Sequence, residues 1–194
     1  MLAALALTLG AVLFQPVTAQ TTAQPAQVFV RDSSAPAQAD GSAGGMHDAG
    51  LRPPSDTDPP SAQLTNAHGD ALKVSIADWR SASGEADFQP VMQGGGVRVR
   101  ASFKGLIAMG RYSLFVRQLA GRVGVVLTPV DIVGAANSFL ADRDGNGLIA
   151  VDSPNLIPSG AQLVLVYHSD GADHQSSPGN LGITAHEQLI TRVP

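Results

Sequence analysis

The 194-residue sequence contains no cysteine, few aromatic residues and, beyond its first twenty residues, no apolar run long enough to cross a membrane. The lack of cysteine excludes disulfides, thiolate metal ligands and a cysteine nucleophile. Aromatic residues make up 5% of the chain, which leaves few side chains that can stack on nucleic-acid bases. Stability must therefore come from packing alone, and nucleic acid is an unfavourable partner class.

The first nineteen residues carry no charged side chain and end in the small-x-small pattern Val17-Thr18-Ala19. Their apolar run is shorter than the roughly 20 residues that span a bilayer, and Pro16 ends it. The alternative, a membrane anchor, fits this length less well. We therefore predict a signal peptide over residues 1–19 and an exported protein, periplasmic or extracellular, with no transmembrane segment in the mature chain.

Residues 20–66 contain six prolines, many small polar residues and a single aromatic side chain, Phe29. Such a segment buries too little apolar surface to offset the entropy of ordering it. We predict a disordered linker over 20–66. The short run Gln27-Val28-Phe29-Val30 leaves one alternative open, a strand that adds to a sheet edge.

From residue 67 to residue 194, short apolar runs alternate with turn residues at spacings of roughly ten residues, which is typical of all-β domains. The clearest run is Val97 to Lys104, where apolar and polar residues alternate strictly. The run Leu163 to Tyr167 is apolar throughout, which predicts a central strand covered on both faces. About nine such runs predict a two-sheet antiparallel β-sandwich, immunoglobulin-like or related.

Three of the five histidines fall near the end of the chain, at His168, His174 and His186. If the strand that begins near residue 185 returns beside the strand that ends at His168, all three histidines lie at one rim of the sheet. Imidazole with carboxylate, here Asp170, suits a transition metal such as zinc or copper. The alternative is that the histidines are strand-end and loop residues without a ligand. Asp173 and Glu187 are further carboxylates that would complete or orient a site.

The same region carries a family resemblance. The segments that carry the resemblance are Gly105-Leu106-Ile107, Asn137-Ser138-Phe139, Tyr167-His168-Ser169-Asp170-Gly171, Pro178-Gly179 and His186 with Gln188-Leu189. Together they resemble secreted bacterial and archaeal β-domains of uncharacterised function. The resemblance covers about Leu72 to Val193 and implies a secreted β-domain without implying an activity. The chain departs from the pattern at Ala108-Met109, where proline and asparagine are expected.

Acidic residues are absent between Asp87 and Asp131, whereas six basic residues lie in that interval, although the formal net charge is −4. A basic face formed by Arg98, Arg100, Lys104 and Arg117 would attract polyanions such as an envelope polysaccharide. The alternative is an ordinary solvated face with acidic side chains from neighbouring strands.

Further sequence patterns bear on calcium binding and on catalysis. Asp142-Arg143-Asp144-Gly145-Asn146-Gly147 matches the first half of a calcium loop, but position twelve is Ser153 and the flanks predict strands, so a hairpin turn is the better interpretation. The sequence also lacks a Gly-x-Ser-x-Gly elbow, a His-Glu-x-x-His motif, a phosphate loop and the His-x-His pair expected of a copper-zinc superoxide dismutase, which shares the sandwich architecture.

The sequence thus favours a secreted, non-enzymatic binding or structural module that contacts an extracellular polymer or another secreted protein, and it leaves catalysis open. The main alternative is a transition-metal-binding protein, redox or hydrolytic, that uses the histidine cluster. The second alternative is polyanion binding through the basic face.

Overall fold

The computed structural model describes residues 26–31, 50–51, 58–91, 94–119 and 125–194. The predicted signal peptide lies outside these residues. The regular elements are β1 (Gln27–Arg31), β2 (Gln63–Thr65), β3 (Ala71–Ser75), α1 (Ile76–Ser81), β4 (Ser83–Pro90), β5 (Val97–Lys104), β6 (Arg111–Leu119), β7 (Val125–Pro129), β8 (Ser138–Leu140), β9 (Gly147–Ser153), β10 (Gln162–His168) and β11 (Ala185–Arg192). The fold is all-β and its strands pair antiparallel, which confirms the predicted fold class.

The main strands form one hydrogen-bonded path, in the order β7-β6-β10-β11-β1-β4-β5-β9, which folds into two layers. One layer contains β4, β5 and β9, and the other contains β11, β10, β6 and β7, with β8 on the same edge of β6 as β7. Strand β8 also approaches β9, so the two layers come close to each other again on the side opposite β1. The hairpin of β2 and β3 forms a separate two-stranded sheet.

Strand β1 belongs to both layers. Gln27 to Phe29 pair with β4, and Val30 and Arg31 pair with β11. The prediction of a disordered linker over 20–66 is therefore wrong for residues 27–31, where the predicted alternative, a strand that adds to a sheet edge, is found: β1 joins the edge strand of each layer. Leu51 and Leu64, also within the predicted linker, are fully buried. The rest of the linker segment lies largely outside the described residues.

The core lies between the two layers and follows from the alternation of each strand. On β5, Val97, Val99, Ala101 and Phe103 point inward and are buried, whereas Arg98, Arg100 and Lys104 point outward. Strand β10 is buried on both faces from Leu163 to His168, as its unbroken apolar run predicts. Its outward residues Val164 and Val166 pack in a second, smaller cluster with Phe115 and Ile190 on the outer face of that layer.

Helix α1 closes one end of the sandwich. Ser75 caps it by accepting a hydrogen bond from the Asp78 N–H at 3.0 Å, while the Asp78 carboxylate accepts one from the Ser75 N–H at 3.2 Å. Trp79 is buried against Tyr167 and His186, so the helix contributes a large side chain to the core. Among the described residues, no helix is long and apolar enough to cross a membrane.

Candidate functional site

Three strand ends meet at one rim of the sandwich. His168 is the last residue of β10, and it lies opposite Arg111, the first residue of β6, and Ala185, the first residue of β11. Alternate residues of a strand share a face, so Ser113 lies on the same face of the sheet as Arg111 and His168. Ser138, at the start of β8, is the direct partner of Ser113. The loop of residues 169–184 folds back over this rim.

A chain of hydrogen bonds links His168 to a carboxylate in that loop. His168 Nε2 lies 2.9 Å from Ser113 Oγ, and Ser113 Oγ lies 2.8 Å from Ser138 Oγ. Ser138 Oγ donates to Asp173 Oδ1 at 3.0 Å. The Gln175 N–H, followed by the Ser138 hydroxyl, keeps the pKa of Asp173 below its usual value. Asp173 is therefore an ionised acceptor at neutral pH.

The direction of this chain determines the tautomer of His168. Ser138 has a single hydroxyl hydrogen, which it donates to Asp173, so Ser113 must donate to Ser138. Ser113 then has only an acceptor left for His168, which means that the proton of the neutral imidazole is on Nε2. Nδ1 therefore carries a lone pair, and it is buried without a hydrogen-bond partner among the described residues.

His168 is neutral over most of the pH range. Its side chain is only 1% exposed. Burial, and next the neighbouring His174, lower the pKa of His168 to about 4, although Asp170 and Asp173 act in the opposite direction.

His174 lies beside His168, with 5.1 Å between the two ring centroids. His174 Nε2 lies 2.9 Å from Asp170 Oδ2, an i,i+4 contact within the loop. The structure thus brings together His168, His174 and Asp170, three of the four residues predicted as metal ligands.

His186 does not join them. It is the direct cross-strand partner of Tyr167, whose side chain points to the opposite face of the sheet from that of His168. The His186 ring is fully buried beside Trp79 and Tyr167, and its Nε2 lies 3.0 Å from Ser169 Oγ. The expected convergence of three histidines is therefore reduced to two. In the part of the chain that the structure describes, no group of three or more His, Asp or Glu side chains is arranged to hold a metal ion.

The four basic residues predicted to share one face are not brought together as a basic surface. Arg98 forms a two-pronged ion pair with Asp152, at 2.6 and 2.7 Å, and Arg100 lies directly opposite Asp87. Arg117 is buried in the other layer, where its Nη1 lies 3.1 Å from Glu187 Oε2, so its place on a common face was wrongly predicted. Acidic residues on β4 and β9 therefore balance the charge of Arg98 and Arg100, whereas Lys104 lies opposite Ser83 and has no acidic residue directly opposite it.

Asp142 organises a turn. Its Oδ1 accepts hydrogen bonds from the Asp144 N–H at 2.9 Å and the Asn146 N–H at 2.8 Å. These bonds, led by the one from Asn146, lower the pKa of Asp142. Gly145 has a φ of 74°, which suits glycine. The turn interpretation of this motif accounts for the conformation of the loop between β8 and β9.

A second loop at the rim was not anticipated from the sequence. After β7, Asp131 accepts hydrogen bonds from the Gly134 and Ala136 N–H groups, both at 2.7 Å. Ile132 has a φ of 60°, in the left-handed region, where a β-branched residue is strained. Ile132 is exposed, and Val133 is 66% exposed. Gly134 packs so closely against the backbone of Gln175 and Ser176 that a Cβ would not fit, so this loop is held against the loop of residues 169–184.

Ser113 and Ser138 were also missed by the sequence analysis. The available signal was Ser113 itself, a polar residue inside the apolar run Tyr112-Ser113-Leu114-Phe115-Val116. A buried polar residue in such a run requires a hydrogen-bond partner. Nothing local to the sequence indicates that the partners are Ser138 and His168.

Comparison with protein-family models gave no match, and comparison with curated protein sequences gave no similar protein. The function must therefore be inferred from the site and the surface of this chain.

The depressed pKa of His168 predicts acid sensitivity. Between pH 6.5, where an unfolded histidine gains its proton, and about pH 4, the unfolded chain binds more protons than the folded one. The free energy of unfolding should therefore decrease as the pH is lowered through this window. His168 should contribute about 1–2 kcal/mol of this decrease after allowance for solvent screening. Urea denaturation at pH 7 and pH 4.5 measures this loss. His168→Gln retains a donor for Ser113 but does not titrate, so an equal loss in this variant would contradict the assignment.

Proposed function

We propose that the protein is an exported, non-enzymatic binding module that contacts another protein through an apolar strip that follows β7 and the loop after it. The strip consists of Val125, Val126, Ile132 and Val133, which are exposed large apolar side chains on β7 and the loop after it. The uncharged apolar segment of residues 1–19 supports export.

The conformation of Ile132 is the observation that carries this proposal. A left-handed β-branched residue costs roughly 1–2 kcal/mol, and such strain persists only where the surrounding structure imposes it. Here the two hydrogen bonds to Asp131 and the close packing of Gly134 impose it. The result is a rigid loop that presents Ile132 and Val133 to solvent, where they contribute little to folding. Binding residues are typically carried by such loops on a rigid scaffold.

The geometry at His168 supports a non-enzymatic role. Ser113, the hydroxyl next to the imidazole, is buried and acts within the hydrogen-bond chain as a donor to Ser138. A serine nucleophile must instead transfer its proton to histidine and be accessible to an acyl group. The chain from His168 to Asp173 thus fastens the loop of residues 169–184 to β6 and β8.

A photocrosslinking amino acid at position 133 tests the proposal in cells that export the protein. We expect a discrete crosslinked product, because Val133 would lie in the interface. The matched control is position 156, where Leu156 is also highly exposed but lies outside the strip. Ile132→Gly should weaken the crosslink at position 133 while leaving stability unchanged or raised by about 1 kcal/mol, because glycine tolerates the left-handed conformation. Equal crosslinking at positions 133 and 156, or none at position 133, would contradict the proposal.

A second candidate function is transition-metal binding at His168 and His174. The bare lone pair on Nδ1 of His168, beside the ring of His174, favours it. The contact of His174 with Asp170 matches the carboxylate that commonly orients a metal-binding imidazole. Zinc or copper would suit these two nitrogen donors, with solvent completing the coordination.

Thermal melting with and without zinc or copper(II) tests this second candidate. A metal that binds only the folded state, at a free concentration a hundredfold above its dissociation constant, adds about 2.7 kcal/mol. We expect the shift in the wild type and its loss in His174→Ala. The matched control is His68→Ala, because His68 is an exposed histidine between β2 and β3 and is not one of the two proposed ligands. A shift that survives in His174→Ala, or no shift in the wild type, would remove this candidate.

A further inference from the structure

Strand β7 has one edge without a hydrogen-bonded neighbour in the described part of the chain. It pairs with β6 along one side, and its backbone makes no other bond within the described ranges except the turn from Pro129 to Ile132. On β6, the Leu114 N–H donates to the Asn137 carbonyl, and the Leu114 carbonyl accepts from the Asn137 side chain. The backbone groups of Leu114 therefore face the edge of β6 that carries β7 and β8.

This direction determines which groups of β7 point outward. Because backbone groups alternate along a strand, those of Val116 and Gln118 also face β7, where their partners are Thr128 and Val126. Val126 and Thr128 are thus bonded to β6. The N–H and C=O groups of Val125 and Leu127 point away from β6, toward the free edge.

Strand β7 has few of the features that protect a sheet edge. Edge strands of monomeric proteins are commonly interrupted by charged residues, bulges or proline. Residues 125–128 contain neither charge nor proline, and the pairing with β6 has no register shift. Only Pro129, at the end of the strand, is a residue that protects a sheet edge from further pairing. The side chains of Val125 and Val126 are 41% and 38% exposed, one on each face of the sheet.

We propose that a second copy of this chain pairs with this edge, so that β7 of one copy lies antiparallel to β7 of the other about a two-fold axis at Val126. This inference rests on the proposed function, since it names the partner of the apolar strip. Val125 of each copy would then lie opposite Leu127 of the other, and their outward N–H and C=O groups would form four hydrogen bonds between the copies. Val126 would lie opposite its own counterpart, a β-branched pair of the kind that stabilises antiparallel strands.

An uncharged segment with a β-branched residue at its centre favours a second copy, because it can pair with itself without bringing like charges together. The outward groups are on residues 125 and 127, equally spaced about residue 126, so the same segment supplies both partners. The segment carries no charge, so two copies do not repel each other along the edge. The layers that contain β7 in the two copies would form one continuous sheet.

Charge substitution at Val126 tests the axis directly. The purified chain should sediment as a dimer, whereas Val126→Lys and Val126→Glu should each raise the dissociation constant about tenfold or more, because two like charges would face each other at the axis. Mixing the two variants should restore the dimer, since lysine would then face glutamate. The matched control is Leu148→Lys, an exposed apolar residue on β9, which should sediment as the wild type does. Circular dichroism checks that each variant is folded.

A second variant tests the same edge without placing a charge at Val126. Val125→Pro removes one outward N–H from each copy but none of the bonds to β6, and it should also weaken the dimer about tenfold. A monomeric wild type, a dimer that tolerates Val126→Lys, or charge variants that stay monomeric when mixed would overturn the proposal. A monomer that still crosslinks to another protein through position 133 would overturn this inference and leave the proposed function standing.

Discussion

Deletion of residues 1–66 is expected to unfold the domain. The deletion removes β1, which occupies the position between β4 and β11, together with the buried side chains of Phe29, Leu51 and Leu64. Phe29 packs on Phe103 with ring centroids 5.1 Å apart. The loss of each of these side chains costs about 2–5 kcal/mol, so the three together approach or exceed the roughly 5–15 kcal/mol of a typical domain. Circular dichroism of the deleted chain and its sensitivity to protease measure the result.

The matched control is a deletion of residues 1–25 only, which keeps β1 intact. This shorter deletion should leave the unfolding midpoint in urea close to that of the wild type. If the chain that begins at residue 67 folds with the stability of the longer one, β1 does not hold the two layers together. In that case, adding a peptide of residues 26–66 would not raise the stability of the chain that begins at residue 67.

Glu187→Ala is expected to be among the most damaging single substitutions outside the central core. The side chains of Arg117 and Glu187 are 9% and 7% exposed and lie at the apolar outer face of β6 and β11. Removing the carboxylate breaks this ion pair of a buried guanidinium, which typically costs about 3–5 kcal/mol. Urea denaturation at pH 7 measures the change in the free energy of unfolding.

The control replaces both members of the pair. Arg117→Met with Glu187→Leu removes both charges and fills similar volume, so it should be much less destabilising than Glu187→Ala and close to neutral. If the single and double variants lose the same stability, the cost comes from packing rather than from the unpaired charge. The exposed pair of Arg98 and Asp152 offers a second comparison, since solvent screens surface ion pairs and they contribute little to stability.

The strands from residue 71 onward were predictable from the sequence because alternation is a local signal. In β5 the alternation of Val97, Val99 and Phe103 with basic residues gives both the strand and its buried face. Strand β1 was not predictable in the same way. Its residues lie in a segment with the composition of a linker, and its partners β4 and β11 are distant in sequence, so no local pattern reports the pairing.

The candidate site depended on one residue of strand register. The sequence placed His168 and His186 at the same rim, which is where both lie. However, the two strands pair with Tyr167, not His168, opposite His186, after a register shift between Leu165 and Val166. A displacement of one residue turns a side chain to the other face of a sheet, so His186 points toward Trp79 while His168 points toward Ser113. Sequence patterns do not specify such a shift.

The place of β1 between the two layers also has a consequence for the order of folding. Val30 pairs with Ile190, so the first described strand finds one of its partners in β11, the last described strand. Contacts between residues so distant in sequence form slowly, because a long loop must close before they contribute. The two layers therefore cannot be joined through β1 until β11 has been synthesised. Until then the core around Phe29 is incomplete, and the two layers lack the strand that connects them.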